Sequence, residues 1–126
     1  MASELRVDTL KDSSGNNSVG MSTVAEGSAK SWVNLTGTGT IATNDSFNVA
    51  SLTDVSAGRY DVNYTNNMNN ALYATQVCSD ANTTNDAFNR TASGSTTTAK
   101  AFLMHFESNS SADTATMIGT INGDLA

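Results

Sequence analysis

The chain has no proline, one cysteine, one histidine, one tryptophan and six basic residues among 126. Each scarcity closes off a class of explanation. The lone cysteine, Cys78, excludes an intrachain disulfide, so nothing points to a disulfide-stapled secreted scaffold. One Cys and one His cannot supply a structural zinc site, and neither a metal nor a cofactor is expected. The bases Arg6, Lys11, Lys30, Arg59, Arg90 and Lys100 stand singly against 12 acids, giving a net charge of −6. Without a basic patch, neither nucleic acid nor an anionic lipid surface is an expected partner. No apolar run approaches the roughly 20 residues that span a bilayer, so no membrane insertion is expected. The start, Met1-Ala2-Ser3-Glu4-Leu5-Arg6, lacks an apolar segment. It predicts cytoplasmic synthesis without a signal peptide, and the initiator Met fits a whole gene product.

What is abundant is neutral and polar. Ser, Thr and Asn supply 49 of the 126 residues. Hydrophobic residues are 38%, with four Phe, three Tyr and one Trp, so the core of a single copy is thin. Pooling apolar area between copies is one remedy for a thin core.

Short alternating runs separated by Gly, Asn, Asp and Ser give the fold class. Leu5–Leu10 reads as a strand, 12–17 as dense turn chemistry, and Ser18–Met21 as a returning strand. This hairpin has almost no core of its own and must lean on something else. Val24–Ser28 reads as a small-residue link. Lys30–Leu35 opens the main body, with Trp32 and Val33 on opposite faces. Thr36-Gly37-Thr38-Gly39-Thr40 suits a turn or a close backbone approach. Phe47–Leu52 alternates, with Phe47 and Val49 on one face, and Asp54–Gly58 reads as a turn. Arg59–Tyr64 has strict period-two amphipathicity, with Tyr60, Val62 and Tyr64 on one side. Residues 66–70 form a loop and Ala71–Cys78 another strand. Ser79–Thr98 is polar and of low complexity. Ala101–Phe106 is apolar on both faces apart from His105, which predicts a central strand buried on both sides. After a turn at 109–113, Thr114–Asn122 closes the domain, with Met117, Gly119 and Ile121 on one face. The spacing predicts an all-β protein, an antiparallel β-sandwich or jelly-roll-like head with a short N-terminal β segment, and no helix.

Chemistry is sparse. His105 is expected to be a core or interface imidazole with a hydrogen bond rather than a general base. Cys78 is expected to pack as a small hydrophobe. Glu107 shares a strand side with His105. Asp80–Asp86 admits a calcium reading but lacks the EF-hand spacing. No catalytic residue is assigned. The candidate core or interface residues are Trp32, Phe47, Tyr60, Val62, Tyr64, Phe102, Met104, His105 and Phe106. The amide- and hydroxyl-rich surface, with aromatics able to stack on sugar rings, also admits polysaccharide binding.

The motifs Lys30-Ser31-Trp32-Val33-Asn34-Leu35, Thr36-Gly37-Thr38-Gly39-Thr40, Asp45-Ser46-Phe47-Asn48-Val49 and Gly58-Arg59-Tyr60-Asp61-Val62-Asn63-Tyr64 follow one another. This series resembles a domain of virion structural and tail-fibre proteins of tailed bacteriophages. Leu5–Leu10 with Gly15 and Val19 is similar to the short β segment that precedes such domains in trimeric fibres. The resemblance covers roughly residues 4–75. Ser31 stands where the family has Ala, Leu35 and Tyr64 stand for Phe, and a Pro near Met68 is missing. The resemblance implies a β-rich homotrimer on the virion surface without catalysis, either a capsid decoration or knob or a short fibre component. Residues 1–28 would attach or trimerise and 29–126 would form the head. Other virion proteins, of capsid or tail, are the implied partners. The alternative is a receptor-binding fibre head that recognises host surface glycan.

Overall fold

The computed structural model describes residues 3–80, 87–91, 96–107 and 110–126. Its strands are β1 (Thr9–Lys11), β2 (Ser18–Gly20), β3 (Ala29–Thr36), β4 (Ala42–Phe47), β5 (Val49–Ser56), β6 (Arg59–Tyr64), β7 (Ala74–Ser79), β8 (Ala87–Thr91), β9 (Lys100–Glu107), β10 (Ser110–Ser111) and β11 (Met117–Asn122). A helix, α1 (Met21–Gly27), follows β2. All named strand pairings are antiparallel. The all-β expectation therefore holds, and α1 is its correction. Met21, Val24 and Ala25 stand at i, i+3 and i+4, but no residue of the helix is buried. Seven residues are about two turns, too short a window for that spacing to stand out from the polar link around it.

β1 and β2 make a separate hairpin. Its turn is held by Asp12, which accepts from the Ser14 hydroxyl, the Asn16 N–H and the Asn17 amide at 2.9, 3.1 and 2.6 Å. The first sheet runs β4-β3-β11-β7. In the second, β5 pairs with β6 and β6 with β9. Both β6 and β8 register with Leu103 and Met104, and both β8 and β10 with Phe106 and Glu107. A strand has two edges, so β6 and β10 share one edge of β9 and β8 takes the other.

Alternation then builds the core. Val33, Leu35, Met117 and Ile121 project from the first sheet; Tyr60, Val62, Tyr64, Ala101 and Leu103 project from the second. They form one buried cluster together with Met68. Each fully buried Val, Leu, Ile or Met contributes about 1.5–3 kcal/mol relative to exposure. Met68 lies in the Asn-rich loop, pinned by its backbone N–H to the Thr98 carbonyl at 2.8 Å and by a bridge to Leu125. Gly37 answers to the close approach its motif implies. A Cβ there would lie 2.2 Å from the Tyr60 hydroxyl oxygen, so no other residue fits without moving that ring.

Several expectations change. Phe47–Leu52 is not one strand. It breaks at Asn48, whose φ of 56° turns the chain from β4 in one sheet to β5 in the other. Asn is among the few non-glycine residues that adopt this conformation readily. Its side chain secures the crossing: Nδ2 donates to the Lys30 and Asn66 carbonyls, each at 3.0 Å, and Oδ1 accepts from the Asn66 N–H at 2.7 Å. The expected turn at Asp54–Gly58 shrinks, because β5 continues to Ser56. The polar stretch from Ser79 to Thr98 contains the strand β8; its residues 81–86 and 92–95, including most of the admitted calcium segment, lie outside the described residues. Cys78 is exposed rather than packed, because it sits at an outward position of β7.

Asn48→Ala removes three hydrogen bonds and puts a poorly suited residue at positive φ. It is expected to destabilise the protein by about 1–3 kcal/mol in urea unfolding. Asn48→Gly keeps the backbone freedom and loses only the bonds, so it should fall between the two. An unchanged midpoint for Asn48→Ala would show that the crossing is held elsewhere.

Candidate functional site

The sequence-predicted residues divide between three places. Tyr60, Val62 and Tyr64 point into the core and are at most 6% exposed. Their alternates on β6, Arg59 and Asp61, face outward from the second sheet, where Asp61 pairs in register with Phe102 and Arg59 with Met104. Phe102 and Met104 are buried on that outer side while Leu103 and His105 are buried on the inner one. Both sides of β9 are thus covered, as its unbroken apolar run predicts. Phe106 is half-buried. Lys100 Nζ meets Asp61 Oδ2 at 2.5 Å, while Asp61 Oδ1 and Arg59 Nε are buried with no hydrogen-bond partner among the described residues.

His105 is 1% exposed, and its Nδ1 lies 2.7 Å from the Ser79 hydroxyl. These residue types match a nucleophile and a base. Their positions make the bond a tie between sheets, from β9 of the second to β7 of the first. The imidazole itself lies inside, between the two sheets. Among the described residues, no three His, Cys, Asp or Glu side chains gather as metal ligands.

The tyrosines form a second set of ties. The Tyr60 hydroxyl donates to Asp113 Oδ1 at 3.1 Å and lies 3.3 Å from the Gly37 carbonyl; Asp113 Oδ1 also accepts the Gly58 N–H at 2.8 Å. Burial, with the Asp113 carboxylate as a smaller cause, raises the Tyr60 hydroxyl well above the ordinary tyrosine range. Tyr64 meets Tyr73 edge-on at 5.9 Å. Burial raises Tyr64 further still and Tyr73 in the same direction. The Tyr73 hydroxyl sits 2.6 Å from the Lys100 carbonyl, joining the approach to β7 to the start of β9.

Trp32 and Phe47 go elsewhere. They are directly paired across β3 and β4 and face outward from the first sheet. Trp32 is half-buried and Phe47 is 52% exposed, so neither belongs to the core of this chain. Beside them Asn44, the extra residue at a β-bulge, donates through Nδ2 to Asn34 Oδ1 at 3.0 Å and to Thr36 Oγ1 at 3.2 Å. Farther along the same face, a depression of about 310 Å³ is lined by Cys78, Ser79, Asp80, Thr116 and Ile118. Sequence reasoning found the two aromatics but missed their pairing, because it read Phe47 onto the following strand. Asn44 carried no signal, since a bulge is fixed by register rather than by residue type.

Tyrosine is neutral while protonated, so a raised native pKa stabilises the fold fully below the unfolded value of about 10 and loses that contribution as pH climbs above it. Tyrosinate absorbance is therefore expected to lag behind that of free tyrosine and to appear together with loss of far-ultraviolet circular dichroism. Ionisation near pH ~10 with the fold intact would contradict this. No protein-family model matches this chain, and neither curated proteins nor solved structures yield a match.

Proposed function

We propose that this chain is a structural component of a tailed-bacteriophage virion, a homotrimer displayed on the particle surface without catalysis. In this reading residues 29–126 form a two-layer antiparallel β-sandwich head, jelly-roll-like in proportions, and residues 1–28 attach it or join three copies. The partners are two further copies and other virion proteins of the capsid or tail. Synthesis is in the host cytoplasm.

The observation that carries the reading is the state of the N-terminal segment. β1, β2 and α1 bury no residue, and Leu5, Leu10, Met21 and Val24 are 79, 41, 36 and 36% exposed. A two-stranded hairpin with a two-turn helix does not persist on its own in water. Its apolar side chains reach none of the head's buried cluster. Three copies gathered on these side chains would supply the area that one copy lacks. His105, the residue nearest to acid–base chemistry, serves as a buried tie, which fits a structural role. Among the described residues no helix is long and apolar enough to cross a membrane.

A second reading, a receptor-binding head for host surface glycan, is favoured by one observation. The outward-facing pair of half-buried Trp32 and exposed Phe47 lies among amides and hydroxyls on an open sheet face.

Sedimentation equilibrium of the full chain is expected to return three chain masses. Leu10→Asp combined with Val24→Asp is expected to return one chain mass with the strand signal of circular dichroism retained. A wild-type monomer at micromolar concentration would end the homotrimer reading.

A further inference from the structure

The outer face of the β4-β3-β11-β7 sheet is a built surface. Register places Phe47, Trp32, Thr120 and Gln76 in one row across the four strands, and Asp45, Asn34, Ile118 and Cys78 in the next. Val33, Met117, Gly119 and Ile121 are buried on the other side, which fixes both rows as outward. Of the eight residues only Asp45 is charged. At ordinary strand spacing a row spans about 14 Å, the reach of a short oligosaccharide rather than of a single sugar.

From this we infer that the face is a binding site for a neutral oligosaccharide, with Trp32 and Phe47 as the stacking platform. The inference rests on the glycan reading above and gives it a location and a ligand class. Aromatic faces carry partial negative charge and attract the C–H-bearing face of a pyranose. The polar edge of that ring needs donors and acceptors beside the platform. Asn34, Asn44 and Thr36 supply them in a fixed array, because Asn44 holds both neighbours and, among the described residues, the Asn34 NH₂ group keeps no protein partner. Gln76 and Thr120 extend the row on the far side of Trp32. An anionic sugar is disfavoured, since Asp45 and the net charge of −6 repel it and no base stands in either row. A second copy of the chain fits less well, because closing on this face would desolvate Asp45 and several amides around only four apolar side chains.

Trp32 is the sole tryptophan, so its fluorescence reports on the platform directly. The full chain is titrated with cellohexaose, maltohexaose, a β-1,4-galactan hexamer and, as the anionic control, oligogalacturonate, following calorimetric heat and Trp32 emission together. Saturable heat with a matching emission change is expected for at least one neutral hexamer and for none of the anionic series. Phe47→Ala, at an exposed position, is expected to weaken that binding about five- to tenfold, the worth of one stacking contact. Binding heat that leaves Trp32 emission and the Phe47→Ala affinity unchanged would overturn this location and leave the glycan reading standing. No binding by any neutral hexamer would overturn both. Loss of wild-type oligomer mass in Phe47→Ala, measured by sedimentation, would assign the face to contact between copies and overturn the proposal.

Discussion

Leu103 of β9 reaches across to β11 at the one inward position there that has no side chain, Gly119. A Cβ at Gly119 would sit 2.8 Å from Leu103 Cδ1 and 3.6 Å from Val33 Cγ1. That contact sets how closely the two sheets approach. Met117 and Ile121 on either side of Gly119 then flank Leu103 rather than collide with it, and Val33 and Leu35 pack from the neighbouring strand. Interiors are close-packed, so a sheet separation fixed at this point constrains every other inward pair.

Polar ties finish what the small core begins. Three of them sit at the margins of the apolar cluster. Tyr60 reaches Asp113 at the loop before β11, His105 reaches Ser79 on β7, and Tyr73 reaches the Lys100 carbonyl. Each carries a polar tip on a body that packs inside, so one side chain contributes apolar area and a directional bond together. The bond is stronger for being partly withdrawn from water, and costly to leave unmade. The same logic places Asn48 at the crossing between sheets, where backbone strain and three hydrogen bonds coincide. A chain rich in Asn, Ser and Thr thus uses some of its polar residues as fasteners and leaves the rest as surface.

The strands that define the core were legible because alternation is a period that sequence displays. Arg59–Tyr64 and Met117–Asn122 fall on the predicted faces, and Lys100–Glu107 is covered on both sides as its apolar run requires. What was not legible depends on register or on isolated contacts. Phe47 and Val49 look like one strand until Asn48 turns the chain between them. Met68 is buried alone among asparagines, where no pattern surrounds it. Cys78 follows its residue type in expectation and its strand position in fact. The candidate face shares this limit. Trp32 and Phe47 are 15 residues apart, and only the pairing of β3 with β4 makes them neighbours.

The two exposed regions differ in the contacts that would satisfy them. Around the N-terminal hairpin and helix, Leu5, Leu10, Met21 and Val24 are wetted. Covering them gains free energy through apolar area alone, which another copy of the same segment supplies without geometric precision. On the outer face of the first sheet, apolar rings alternate with amides that already hold one another in place. Covering that face is favourable only for a partner that returns hydrogen bonds at matching positions. The other outer face, bearing the Lys100–Asp61 pair with Phe102 and Met104, is closed within the chain itself. On the proposed reading, assembly through the N-terminal segment would draw on surface that the proposed glycan site does not need, and the amide-lined sheet would stay open.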